Sequence, residues 1–198
     1  MKTTPLPLLA LLLAGMLALA AQATPSAQDI LAASDAVRNP EHPFGVTNTL
    51  IEYRNGQQTG SSTLGIYSRA DAHSGRFRSL VRFVAPARDA GKLMLYSGKD
   101  LWFYDPANKA SVRLSPQQRL LGQASNGDVV TVNLAKDYKA ELLAEEDTAD
   151  GEKQTRRAYK LGLSAVSPDV TYHRVEMWVD AASSRPIKAR FYSESGHL

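Results

Sequence analysis

The side chains best suited to proton transfer or metal binding are four histidines, His42, His73, His173 and His197. Zinc and metalloprotease chemistry needs them at close spacing, as H-x-x-x-H or H-E-x-x-H, and neither pattern occurs. Asp71 and His73 stand two apart in "RADAHSGR", which reads as a polar strand-linking loop with no third ligand beside it. The chain has no cysteine, which excludes a thiol nucleophile, a thiolate metal site and any disulfide. No G-x-S-x-G elbow, G-x-x-x-x-G-K-[ST] loop or G-x-G-x-x-G fingerprint is present. "GKLMLYSG" has two glycines, but in a hairpin pattern. Asp100, Asp105 and Asp180 fall at turns or strand ends, where Asp is an ordinary turn residue. No catalytic residue, metal or cofactor is therefore assigned and the chain reads as a non-enzyme, with a hydrolase, built on a carboxylate pair or Ser-His contact that only the fold brings together, as the third reading.

The densest polar stretch is "SPQQRLLGQASNGDVV", Ser115 to Val130. Ser115 at the N-cap, Pro116 at the first helical position and Gln118 at the third predict a capped helix start. Leu120, Leu121 and Ala124 give it a small apolar face. Gly122 weakens it by about 1 kcal/mol relative to Ala, and Asn126-Gly127 can end it. "GDVVTVNLAKDY" then reads either as a second short helix capped by Asp128 or as an extended return. A short helix of this kind suits a cover over a sheet, and its marginal stability suits a cover that opens.

The elements around it are mostly strands. Asp29 to Arg38 has helical spacing, with Ser26 as its cap and Asn39-Pro40 as its stop. From Phe44 the period becomes two. "TLIEYRN", "STLGIYS", "SLVRFVAP", "KLMLYSGKDLWFYDP", "SVRLS", "YKAELLAE", "RRAYKLGLS", "TYHRVEMWVD" and "PIKARFYSE" all alternate, with Gly, Asn, Asp, Ser and Pro between them. "AEEDTADGEK", Ala144 to Lys153, lacks the ligand spacing of a calcium loop and reads as a solvated hairpin loop. About ten short-linked strands predict a strongly curved antiparallel sheet or an incomplete barrel. The fold class is mainly β, with an N-terminal helix and a short helical lid.

The ends set the compartment. Lys2, the apolar run Leu6 to Ala20 and Ala21-Gln22-Ala23 form a secretory signal peptide pattern over residues 1–23. Residues 24–198 then form a single exported domain. The formal charge is +3, with Lys and Arg scattered, so nucleic acid binding has no support.

In this order the motifs resemble a known family. "KLMLYSGKDLWFYDP" resembles the "DG-LWFY-P" hairpin of the periplasmic carriers of outer-membrane lipoproteins, the LolA and LolB type. "VEMWVDAASSRPIKARFYSESG" is similar to their late hairpin. "VRFVAPARDAGKLML" and "SPQQRLLGQASNGDVVTVNLAKDY" resemble the outer-membrane lipoprotein-sorting subgroup, whose members often accompany membrane exporters. The resemblance implies an incomplete antiparallel barrel that carries acyl chains in an apolar concavity without a cofactor. Its cavity would be lined by Val81, Phe83, Met94, Trp102 and Tyr104, with Leu120 and Leu121 from the lid, whose frame is Ser115, Pro116, Gln118 and Gly122. An arginine holds the lid shut in such carriers, and Arg69 or Arg76 is the nearest candidate. The implied partners are lipidated protein or lipid acyl chains, an inner-membrane transporter or exporter, and an outer-membrane acceptor, all met in the periplasm. An alternative is an envelope-sensing or exporter-associated interaction domain of the same fold, without carrier activity. The chain ends at "SESGHL", where the family normally adds further strand, so either a bare sheet edge or a truncated product is expected.

Overall fold

The computed structural model describes residues 25–193, so the expected signal peptide lies outside the described residues. Helix α1 spans Ala27–Arg38. Ser26 caps it, its Oγ accepting from the Asp29 amide at 3.1 Å. Asp29 in the first turn and Arg38 in the last both suit the helix dipole. The buried face carries Ile30, Leu31 and Ser34.

Six strands follow as an antiparallel meander: β1 (Phe44–Arg54), β2 (Gln57–Ala70), β3 (Phe77–Ala85), β4 (Leu93–Ser97), β5 (Asp100–Asp105) and β6 (Ala110–Leu114). Asn55-Gly56 turns the chain from β1 to β2 with φ of 51° and 76°, the left-handed pair that a tight hairpin demands. In β3 the alternation is complete. Phe77, Ser79, Val81 and Phe83 point inward, and Arg78, Leu80, Arg82 and Val84 point outward.

A second antiparallel sheet is built from β9 (Tyr138–Ala149), β10 (Thr155–Ala165), β11 (Arg174–Asp180) and β12 (Pro186–Tyr192), in the order β12-β11-β10-β9. Glu145, Glu146 and Asp147 belong to β9 itself, so the expected acidic loop shrinks to the turn at 150–153. Neither sheet closes on itself. The mainly β, open antiparallel architecture is the one the alternation requires.

Between the sheets runs a strap: β7 (Arg119–Leu121), β8 (Ala124–Ser125), a 3-10 turn at Asn126–Val129, and the one-turn helix α2 (Leu134–Asp137). The helix expected from Ser115 is not there. The Gln118 side chain does reach back to the Ser115 amide at 3.0 Å, as a capping box would, but this closes an isolated turn. Gly122 then sits at φ 57° and turns β7 into β8. The helical turns come later. Ser125 precedes the 3-10 turn, with its amide donating to the Asp128 carboxylate at 2.8 Å. Asn133, not Asp128, caps α2.

The core has two centres. Leu64, Ile66, Val81, Phe83, Met94, Tyr96 and Leu101 of the first sheet pack on Val129 and Val130 of the strap. Ile30 and Leu31 of α1 pack on Leu161, Leu163, Val175, Met177 and Val179 of the second sheet, with Leu134 and Tyr138. Val132 touches both clusters, so the strap joins them.

Candidate functional site

A cavity of about 340 Å³ lies between the strap and the inner face of β11 and β12. Its origin is a shortage of cover. Twelve residues of helix reach about 18 Å, and α1 packs on β9, β10 and β11. Over β12 the covering falls to the strap, and the space below it stays unfilled. The apolar lining comes from Val130, Val132 and Leu134 above and from Val175, Met177 and Phe191 below. This is within the size range of small-ligand pockets.

The polar groups at its rim are already engaged. The Tyr138 hydroxyl donates to the Tyr172 carbonyl at 2.7 Å, and the Tyr172 hydroxyl donates to the Asp128 carboxylate at 2.9 Å. Burial first, then Asp128, pushes the Tyr172 phenol up to about 12. Burial raises Tyr138 as well. Both phenols are therefore neutral donors throughout the physiological range. The Tyr172 ring also rests on Phe191, with centroids 4.8 Å apart. Gln117 donates to the Val170 carbonyl at 3.1 Å. The strap and the 167–173 loop thus meet at the mouth.

Further ties hold the strap to α1 and the first sheet, beginning with Asn39, which donates to the Val132 carbonyl at 3.1 Å. Ser68, Ser79 and Thr131 form a hydroxyl chain at 2.8 Å per step. The buried Asp35 carboxylate accepts from the Ala135 amide at 2.7 Å and from Arg38 at 2.5 Å. Gln28 donates to the Ala135 carbonyl at 2.7 Å and accepts from the Ala140 amide at 3.0 Å. Arg76, just before β3, pairs with Asp137 and donates to the Lys136 carbonyl at 3.2 Å, so it grips α2 from the first sheet. Arg69 has no such contact with α2; its position is directly opposite Arg78 on the outer face. Burial raises the Asp137 carboxyl above the usual range, and the Arg76 guanidinium offsets this only in part.

The side chains named from the sequence distribute differently. Val81, Phe83 and Met94 are 0, 8 and 1% exposed and lie in the filled first cluster. Leu120 packs at that cluster's margin, and Leu121 lies over Gly60 at the end of β1 and β2. Trp102 and Tyr104 need correction. They lie on the outer face of β5, with Trp102 43% exposed, while Leu101 and Phe103 point inward. Of the lid residues, Pro116 lines the cavity, Ser115 and Gln118 form its flanking turn, and Gly122 sits against Glu52. Tyr96, Val132, Leu134, Val175, Met177 and Phe191 line the cavity and were missed. The inward alternation of Val175 and Met177 was the available signal. Asp71 accepts from the His73 and Ser74 amides, which is turn closure. Among the described residues no group of three or more His, Cys, Asp or Glu is arranged to hold a metal.

Comparison with known proteins follows the fold. A family described as an uncharacterized protein matches residues 75–198. No curated protein matches. A LolA superfamily protein from Nitrosomonas europaea is 33% identical, with 88% of this chain and 75% of that one covered and a TM-score of 0.75. A DUF1329 family protein from Desulfovibrio piger is similar at 23% identity, TM-score 0.70, over 87% and 74% of the two chains. A putative outer membrane lipoprotein-sorting protein domain from Vibrio parahaemolyticus is similar at 21%, TM-score 0.69, over 87% and 74%. The fold and strap define an open antiparallel β protein with an apolar recess. The chain belongs to the LolA superfamily.

Proposed function

We propose that this protein is a periplasmic carrier that holds a lipid or lipoprotein acyl chain in the cavity beneath the strap. It hands the chain from an inner-membrane exporter to an outer-membrane acceptor and works without a cofactor. The observation that carries the reading is the unfilled apolar recess between Val132 and Leu134 on one side and Met177 and Phe191 on the other. Well-packed cores leave few such voids. Superfamily membership supports it, as does the lipoprotein-sorting name of one structural relative. The chemistry asked of the protein is burial. Each methylene taken from water contributes about 0.8 kcal/mol, so a partly enclosed chain binds without charge recognition. Tyr138, Tyr172 and Asp128 are engaged with groups of the protein, and the charged lining residues Arg38, Asp137, Asp169 and Lys188 likewise have partners of their own, so the apolar wall is the part left for a ligand.

Titration of the delipidated protein with a fluorescent fatty-acyl probe tests this reading. Saturable binding is expected. Met177→Trp fills the recess and excludes two or three methylenes, a loss of about 2 kcal/mol or roughly thirtyfold in affinity. No saturable binding, or binding that Met177→Trp leaves unchanged, refutes it.

A further inference from the structure

The outer face of the six-stranded sheet carries an apolar row that the core does not use. The register sets Tyr67 opposite Leu80, Leu80 opposite Leu95, and Leu95 opposite Trp102. Their exposures are 56, 39, 46 and 43%. Single exposed hydrophobics are ordinary, but four in adjoining register form a patch. At about 4.8 Å per strand the row is roughly 14 Å long. The Tyr67 ring lies flat over Gly45, where a Cβ would stand 3.1 Å from it, so one ring face is held outward.

The charge on this face has one sign in excess. Arg69, Arg78, Arg82 and Arg113 share it with two carboxylates, Asp71 and Asp100. Arg78 engages Asp71 at 2.7 Å and Arg113 engages Asp100 at 2.6 Å. Among the described residues Arg69 and Arg82 have no ion pair, and they flank the row on opposite sides. Arg69 also stands directly across from Arg78, a like-charge pairing that costs stability. A groove of about 640 Å³ passes between these two arginines and the apolar row.

Tyr and Trp bordered by free arginines is the side-chain chemistry of a bilayer interface. We propose that this face docks on an anionic phospholipid bilayer. The Tyr67–Leu80–Leu95–Trp102 row enters the headgroup boundary, and Arg69 and Arg82 meet lipid phosphates. None of Arg69, Arg82 or Trp102 lines the cavity, so docking and cargo binding are separable.

The test uses the purified protein and vesicles of phosphatidylcholine, alone or with one-third phosphatidylglycerol. Co-flotation with the anionic vesicles, weakened by salt, is expected. Trp102 emission shifts to the blue, while Trp178, 3% exposed, supplies a constant background. Each arginine near an anionic surface strengthens binding about fivefold, so Arg69→Gln with Arg82→Gln weakens it roughly twenty-five-fold. Trp102→Ser removes the emission shift. Both variants keep the acyl-probe affinity of the parent. Failure to float with anionic vesicles, binding that neither variant weakens, or use of this face by a protein partner with vesicles refused overturns the proposal.

Discussion

Single residues carry the tightest constraints in this fold. At Gly127 an added Cβ would stand 1.8 Å from Thr171 Oγ1, so the strap and the 167–173 loop meet there only because no side chain intervenes. Gly127→Ala therefore forces them apart and lowers the urea-unfolding free energy by about 1–3 kcal/mol. Asp180 closes the turn between β11 and β12. The Ser183 hydroxyl and amide donate to it and hold its carboxyl below the ordinary range. A depressed folded-state pKa stabilises the fold above about pH 4, and the benefit fades as pH falls through the folded value. Asp180→Asn should lower the urea midpoint at neutral pH, and by less in acid, as the carboxyl of the parent becomes protonated. Equal gaps at neutral and acid pH would contradict this. Trp178 shows how neighbours remake a residue's environment. It lies on the outer face of β11, yet Lys188 and Lys160 stand 4.6 and 4.9 Å from its ring and bury it.

At the scale of elements, the strap is held to α1 and the first sheet by side-chain ties rather than by a strand ladder. Arg76 ties α2 to the first sheet through Asp137 and the Lys136 carbonyl. Arg76→Gln leaves the buried carboxylate without its cation. The cost is about 2 kcal/mol of local stability, and the Tyr138 amide should exchange roughly thirtyfold faster with solvent while β10 amides hold. Adding Asp137→Asn should restore part of the loss, because burial already disfavours that carboxylate. Most elements were legible as periods. α1 with its Ser26 cap and the Gly98 turn between β4 and β5 follow directly from local chemistry. The strap was legible only in part. The Ser-x-x-Gln signal at Ser115 was genuine, and its side-chain bond forms. Gly122 adopts a left-handed φ, however, and a hairpin wins over a helix that has few apolar contacts to stabilise it.

At the scale of the molecule, an apolar concavity was expected but its place was not legible, because it is made by what a helix fails to cover. Alternation marks Val175 and Met177 as inward, but not whether another side chain fills the space above them. "LWFY" has apolar residues on both faces of its strand, so it carries no phase of its own. Its partners set the phase, with Leu101 opposite Tyr96 and Trp102 opposite Leu95. The most direct test of cargo binding is photo-crosslinking with a diazirine fatty acid, followed by peptide mapping. Adducts should concentrate on Val132, Leu134, Met177 and Phe191 around the recess. Adducts confined to the outer row at Leu95 and Trp102, or to the filled cluster at Val81, Phe83 and Met94, would contradict the carrier reading.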